Sequence, residues 1–438
     1  MNTNLVLIHL ESLNNLLYRL HPEWFPAIRE IEEEGVYFSN YYSSATSTIM
    51  VISDLIYGST DVFEQQRSLT DIKNKKIEIE NFTLFDILRK KGYGIKNFLL
   101  WGNWDVSFLN RLVVHDGEFV NTNDHDVLAD KFEDFILNQE SFALFLDDCS
   151  SALDFKGENR HLKEGRKLKR EGFLEIDATT GILVKTLKKC GKYENTLLVL
   201  YGDHGDDFWA HGLHDGYSHA LAPYQHMVHT PLIIAGAKKK SSIVNNLIGT
   251  SDLREFIFNL LEYPADNLED FCPQKDVVYS RNLFANQKLA IDSFNKSYSA
   301  TDGRYLLMVS NYGLEMYLND FDVNSVCNLL DFFVLVNGEL KFYKQLRFTR
   351  STHFNGFWTE PQIEEVQKSF LKLFKLLLEE VKHKYKGSGR NYKEMKFDKI
   401  HYLNKYKYEK KCISRHLVRM IRRPLSCLKR VYKKALTR

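Results

Sequence analysis

A chain of 438 residues that is 44% hydrophobic and 26% charged, with a formal net charge of +2, has the apolar content to bury a large core, and no internal repeat or low-complexity segment interrupts it. No apolar run reaches the about 18 residues that a bilayer-spanning helix needs, so a membrane-embedded domain is not expected. The six cysteines (Cys149, Cys190, Cys272, Cys327, Cys412 and Cys427) show neither paired metal spacing nor a compact disulfide framework, and they read as reduced thiols of a cytoplasmic chain.

The first predicted element follows Met1-Asn2-Thr3-Asn4 directly, with no basic leader or cleavage site. Leu5-Val6-Leu7-Ile8-His9-Leu10 is a near-continuous apolar run of the kind that forms a buried strand, and it stops at Glu11-Ser12. Next comes a small, hydroxyl-rich turn, Ser43-Ser44-Ala45-Thr46-Ser47-Thr48. Ile49, Ile52 and Ile56 then fall at helical spacing and Gly58 supplies a stop, which predicts a helix with Thr48 at its N-terminus. Free backbone N–H groups at such an end favour an anion. Leu197-Leu198-Val199-Leu200-Tyr201-Gly202 is a second buried strand, delivering Asp203-His204-Gly205 at its carboxyl end, where ligands of open α/β sheets gather. Taken alone, Asp203, Glu11 and Thr48 could each be capping residues. Together, Glu11, Asp203 and His204 are an oxygen and nitrogen donor set suited to one divalent metal, Zn²⁺, Mn²⁺ or Mg²⁺, and such an ion would lower the Thr48 hydroxyl pKa enough to make it a nucleophile toward phosphorus.

Several segments in chain order resemble the alkaline phosphatase superfamily, in its sulfatase-like branch of lipoteichoic acid synthases, phosphoglycerol transferases and phosphoethanolamine transferases. They are Glu11-Ser12, Pro26 to Ile31 with Glu34-Gly35-Val36-Tyr37-Phe38, Thr46-Ser47-Thr48, Asp177 to Gly181, Gly191 to Thr196 leading into Asp203-His204-Gly205, and Asp302 to Tyr305 with Gly313 to Leu318, Asp322 and Asn328-Leu329. The resemblance spans roughly residues 4 to 330. It implies metal ligation by Glu11, Thr48, Asp203 and His204, with Thr48 as nucleophile and Thr46 as the fallback nucleophile and a substrate-binding candidate. His219, in His219-Ala220-Leu221-Ala222-Pro223-Tyr224, matches the family's proton-handling or phosphate-binding histidine, followed by His211. Gly102-Asn103-Trp104 stands where sulfatases carry Gly-Lys-Trp, which makes Asn103 and Trp104 substrate-binding candidates. Departures from the pattern narrow the chemistry. Thr48-Ile49-Met50-Val51-Ile52 lacks the Cys/Ser-x-Pro-x-Arg from which sulfatases make formylglycine, and Gly181 stands where two-zinc phosphatases carry a second histidine. After Phe142-Ala143-Leu144-Phe145-Leu146, relatives place a histidine where this chain has Asp147-Asp148-Cys149.

The alternation of strands and helices predicts an α/β fold, a central mostly parallel sheet flanked by helices on both faces, with a small C-terminal α+β subdomain and a basic helical tail. The expected divisions are a catalytic core over 1–270, a subdomain over 271–385 that includes a long amphipathic helix from Pro361 to Tyr385, and a linker and tail over 386–438. From His401 to Arg438, 13 basic residues face one acid, Glu409, so a tail of about +12 follows a body of about −10. Ile413, Leu417, Met420 and Ile421 share one helical face of that tail, a pattern that fits an anionic membrane surface, although a solvated tail has the same composition; no nucleic-acid partner is expected. The expectation from sequence is a cytoplasmic or peripheral phosphotransferase with a phospholipid or other phosphodiester donor and a glycan acceptor. A phosphodiesterase using water, and an inactive scaffold for glycan assembly, are the alternatives.

Overall fold

The computed structural model describes residues 3–58, 82–102, 106–114, 117–152, 162–208, 210, 219, 222–237, 241–263, 268–282, 296–342, 359–386 and 394–401. Nine strands open the fold: β1 (Asn4–Leu10), β2 (Val36–Phe38), β3 (Tyr41–Tyr42), β4 (Gly94–Leu100), β5 (Phe119–Val120), β6 (Phe142–Asp148), β7 (Thr196–Gly202), β8 (Leu232–Gly236) and β9 (Ser242–Val244). All but β3 join one eight-stranded sheet in the order β5-β4-β6-β1-β7-β8-β2-β9. Only β8 runs against its neighbours, so the sheet is mostly parallel, as the alternating strand and helix pattern predicts. Leu10 at the end of β1 lies level with Asp148 of β6 and Gly202 of β7, which brings three strand ends to one line.

The helices with described residues are α1 (Asn15–Leu20), α2 (Pro26–Glu34), α3 (Thr48–Tyr57), α4 (Leu84–Lys90), α5 (Ser107–Val113), α6 (His125–Leu137), α7 (Leu162–Lys189), α8 (Gln225–Val228), α9 (Thr250–Glu262) and α10 (Glu360–Tyr385). Strand side chains alternate between faces. Val6, Ile8, Leu144 and Leu198 point to one side, against α2, α6 and α7. Leu5, Leu7, Phe145 and Val199 point to the other, against α3, α4, α5 and α9. Both faces are covered, which is why these strands read as continuous apolar runs.

Beyond β10 (Ile248–Gly249), which pairs with β3, four antiparallel strands form a separate sheet: β11 (Val278–Asn282), β12 (Ser297–Thr301), β13 (Tyr305–Ser310) and β14 (Gly313–Leu318). The helix expected from Pro361 is α10; its buried Ile363, Val366, Phe370, Leu373, Leu377 and Val381 repeat every three or four residues. The expected division at 270/271 falls inside the 3₁₀ turn Leu268–Phe271. Of the linker and tail, only 386 and 394–401 lie within the described residues. No described helix is long and apolar enough to cross a membrane.

Candidate active site and metal centre

The period of two that builds the core also builds the site. On β1, Leu5 and Leu7 face α3, and continuing that face past the strand end brings His9 and then Glu11 to the same side. On β6 the same face carries Phe145 and then Asp147; on β7 it carries Val199 and Tyr201, and then Asp203. Three neighbouring strands thus raise acids and an imidazole along one line. The start of α3 supplies the last piece. Ser47 is extended and Thr48 opens the helix, while Gly58 closes it at φ 67, a left-handed conformation that a residue without Cβ adopts freely.

These side chains converge. Thr48 Oγ1 donates to Glu11 Oε2 at 3.1 Å and lies 3.1 Å from His204 Nε2. His204 Nε2 is 3.0 Å from Asp203 Oδ2, which in turn is 3.1 Å from His9 Nε2. Two donors each about 2.0–2.2 Å from one cation stand roughly 2.8–3.6 Å apart, so these separations suit a shared ion. Neither Asp203 Oδ2 nor His9 Nε2 has a hydrogen-bond partner among the described residues, although both residues are fully buried. Orphaned buried donors aimed at one point are what a cation site leaves when its ion is set aside, and the residues present fit a divalent metal. The remaining atoms are tied down: the Ser12 amide donates to Asp203 Oδ1 at 2.9 Å and the Ser12 hydroxyl to Glu11 Oε1 at 2.8 Å. Ser12 holds φ 57 to make both contacts, a backbone strain tolerated beside the site.

The electrostatics agree. Burial, reinforced by the neighbouring Asp203 charge, pushes the Glu11 carboxyl up to about 7. Burial also pushes the His204 imidazole down to about 4, leaving it neutral as a ligand must be. Burial works to raise Asp203 as well, but His204 and His9 beside it hold it well below the usual carboxylate range. Around this centre stands a second set of groups. His219 Nδ1 lies 3.3 Å from Asp206 Oδ1, its ring stacks on His204 with centroids 4.4 Å apart, and buried Lys169 pairs with the other oxygen of Asp206. Glu11, His204 and His219 present ligand atoms close enough to hold one ion. Beneath Thr48, the turn is clamped from β11. The Arg281 guanidinium meets both Asp54 oxygens, at 2.7 and 2.9 Å, Ser44 Oγ donates to Asp54 Oδ2 at 2.5 Å, and the Arg281 amide donates to Ser44 O at 2.9 Å.

Of the residues singled out from sequence, Glu11, Thr48, Asp203, His204 and His219 are brought together here, and Thr46 is buried in the turn before α3. Asn103, Trp104 and His211 lie outside the described residues. Asp177 serves a structural end, accepting from the Ala27 and Ile28 amides at 3.1 and 2.9 Å to cap α2. His229 does likewise: it lies 2.8 Å from Ser39 O and stacks on Tyr42. Sequence reasoning missed His9, Asp147, Lys169, Asp206, Asp54 and Arg281. His9 did leave a signal, a polar residue breaking an apolar strand two positions before Glu11 and so on its face.

A family model described as Sulfatase matches residues 3–263. No curated protein matches. Among solved structures, a 2-O GAG sulfatase superposes with a TM-score of 0.61 at 16% identity, covering 91% of this chain and 95% of that one. A protein solved with its substrate D-glucosamine-2-N,6-O-disulfate gives 0.60 at 13% identity over 89% and 100% of the two chains. A protein of the alkaline phosphatase superfamily from Vibrio parahaemolyticus gives 0.54 at 16% identity over 74% and 81%.

Proposed function

Because this chain belongs to the sulfatase family of the alkaline phosphatase superfamily, we propose that it is a metal-dependent phosphoryl-group transferase that moves a phosphoethanolamine or phosphoglycerol head group onto a glycan through a covalent phospho-Thr48. One observation carries this reading: a threonine hydroxyl at a helix N-terminus sits 3.1 Å from both a buried carboxylate and a buried imidazole, in a segment without the formylglycine motif. Glu11, Thr48, Asp203 and His204 would hold the ion, which when bound lowers the hydroxyl pKa and offsets phosphoryl charge. The α3 N-terminus adds its dipole to the same anion.

The side chains then divide the work. Thr48 gives up its proton along its hydrogen bond to Glu11 and forms an Oγ–P bond as the P–O bond to the donor's alcohol breaks. His219, oriented through Asp206, protonates the leaving oxygen. In the second half the same imidazole takes the proton of the incoming glycan hydroxyl, whose oxygen forms the new bond to phosphorus as the Oγ–P bond breaks, and Glu11 returns its proton to the departing Thr48 oxygen. The basic segment 401–438, about +12 by sequence, would dock the enzyme on an anionic membrane that holds the donor lipid.

Incubation of the metal-loaded protein with phosphatidylethanolamine or phosphatidylglycerol, followed by intact-mass measurement, tests the proposal. The expected result is a head-group phosphate adduct on Thr48 that is absent from Thr48→Ala and discharged by an acceptor sugar. Free head group released with no acceptor would assign the site to a hydrolase. Neither adduct nor release from any phosphodiester would refute phosphoryl chemistry at Thr48.

A further inference from the structure

We infer that His9 is an additional ligand of the cation proposed above, an inference that rests on that reading and extends it to the choice of metal. His9 is fully buried in the middle of the sheet, its ring stacked on Tyr201 with centroids 5.4 Å apart and facing Phe145 at 6.5 Å. Its Nδ1 lies 2.8 Å from Asp147 Oδ1, and the other Asp147 oxygen accepts from the Trp101 indole at 2.9 Å. A carboxylate is an acceptor only, so Nδ1 carries the hydrogen toward Asp147, and a cation at the site would take the lone pair of Nε2. That lone pair is aimed at the site: Nε2 is 3.1 Å from Asp203 Oδ2 and 3.9 Å from Glu11 Oε2. Nε2 therefore faces two buried acids, Asp203 and Glu11, across a space where a cation would meet all three groups.

A metal-ligating histidine commonly donates its other nitrogen to a carboxylate, and here that acid is itself oriented by Trp101. Asp147 therefore acts as a positioning residue. The register explains how the trio forms: His9 lies directly beside Asp147 on β6 and Tyr201 on β7. A second imidazole moves the donor set from mostly oxygen toward nitrogen, which favours Zn²⁺ over Mg²⁺.

The test is metal binding by the full chain, measured by competition with a chromophoric chelator for Zn²⁺. The wild type is expected to bind one equivalent, Asp147→Asn to bind about 10–100-fold more weakly, and His9→Gln more weakly again, with its preference for Zn²⁺ over Mg²⁺ reduced. X-ray absorption of the zinc-loaded His219→Gln protein, which keeps His9, is expected to count two imidazoles. Unchanged zinc affinity in His9→Gln would overturn the inference, as would a single imidazole in His219→Gln or a second equivalent lost only with His9. A wild type that binds no divalent metal would instead bring down the reading on which the inference rests.

Discussion

Thr48, Glu11, Asp203 and His204 stand within hydrogen-bonding or ion-pair distance along one connected line, and each is more than nine-tenths buried, so the proposed chemistry would run away from bulk water, where charge interactions are strong. Burial has a cost that pH exposes at a neighbouring residue. Asp148, fully buried with the Ser150 amide and Thr179 hydroxyl as donors, is pushed up to about 6 from 3.8 by desolvation. The folded protein then holds a proton that the unfolded chain has lost, so the Asp148 contribution to stability is full below about pH 4 and is lost as pH rises through about 6, by an amount on the order of 3 kcal/mol. Asp148→Asn, which cannot ionise, is expected to raise the melting temperature at pH 7 and leave it unchanged near pH 4; a thermal scan at the two pH values decides. At this scale the sequence was informative where residue type and strand position coincided, as for Glu11, Asp203 and His204. It was silent on Lys169 and Asp206, whose pairing depends on where α7 crosses the strand ends.

At the level of elements, the turn that carries Thr48 depends on a strand far along the chain. Arg281 of β11 and Asp54 of α3 are 227 positions apart, and both are nearly fully buried. Breaking one half of a buried ion pair costs about 3–5 kcal/mol because the other charge is left unpaired. Arg281→Met is therefore expected to shift the denaturation midpoint strongly, and Arg281→Met combined with Asp54→Leu to recover part of that loss, as a double-mutant cycle in urea will show. The helix itself was legible: apolar spacing from Ile49 to Ile56 and the stop at Gly58 correspond to α3 over Thr48–Tyr57. So was α10, within one residue of its expected start. The clamp was not, because pairing between elements leaves no local periodicity to read.

For the whole molecule, the two covered faces of the parallel sheet explain why the apolar runs pointed to the fold, and why their ends pointed to the site. The contribution of the second sheet was less visible, since short antiparallel strands such as β11 and β12 carry serines and an arginine that serve contacts with the core. The charge asymmetry of the full chain leads to a separate expectation: co-sedimentation with phosphatidylglycerol vesicles that is lost on removal of residues 402–438 and weakened by salt. Vesicle binding unchanged by that truncation would reject the docking role. The most direct test of the shared cation is anomalous diffraction at the zinc edge from crystals of the metal-loaded protein. One peak is expected within about 2.0–2.3 Å of Glu11, Thr48 Oγ1, Asp203 Oδ2 and His204 Nε2; a peak elsewhere, or one that leaves the Thr48 hydroxyl uncoordinated, would contradict a shared ion.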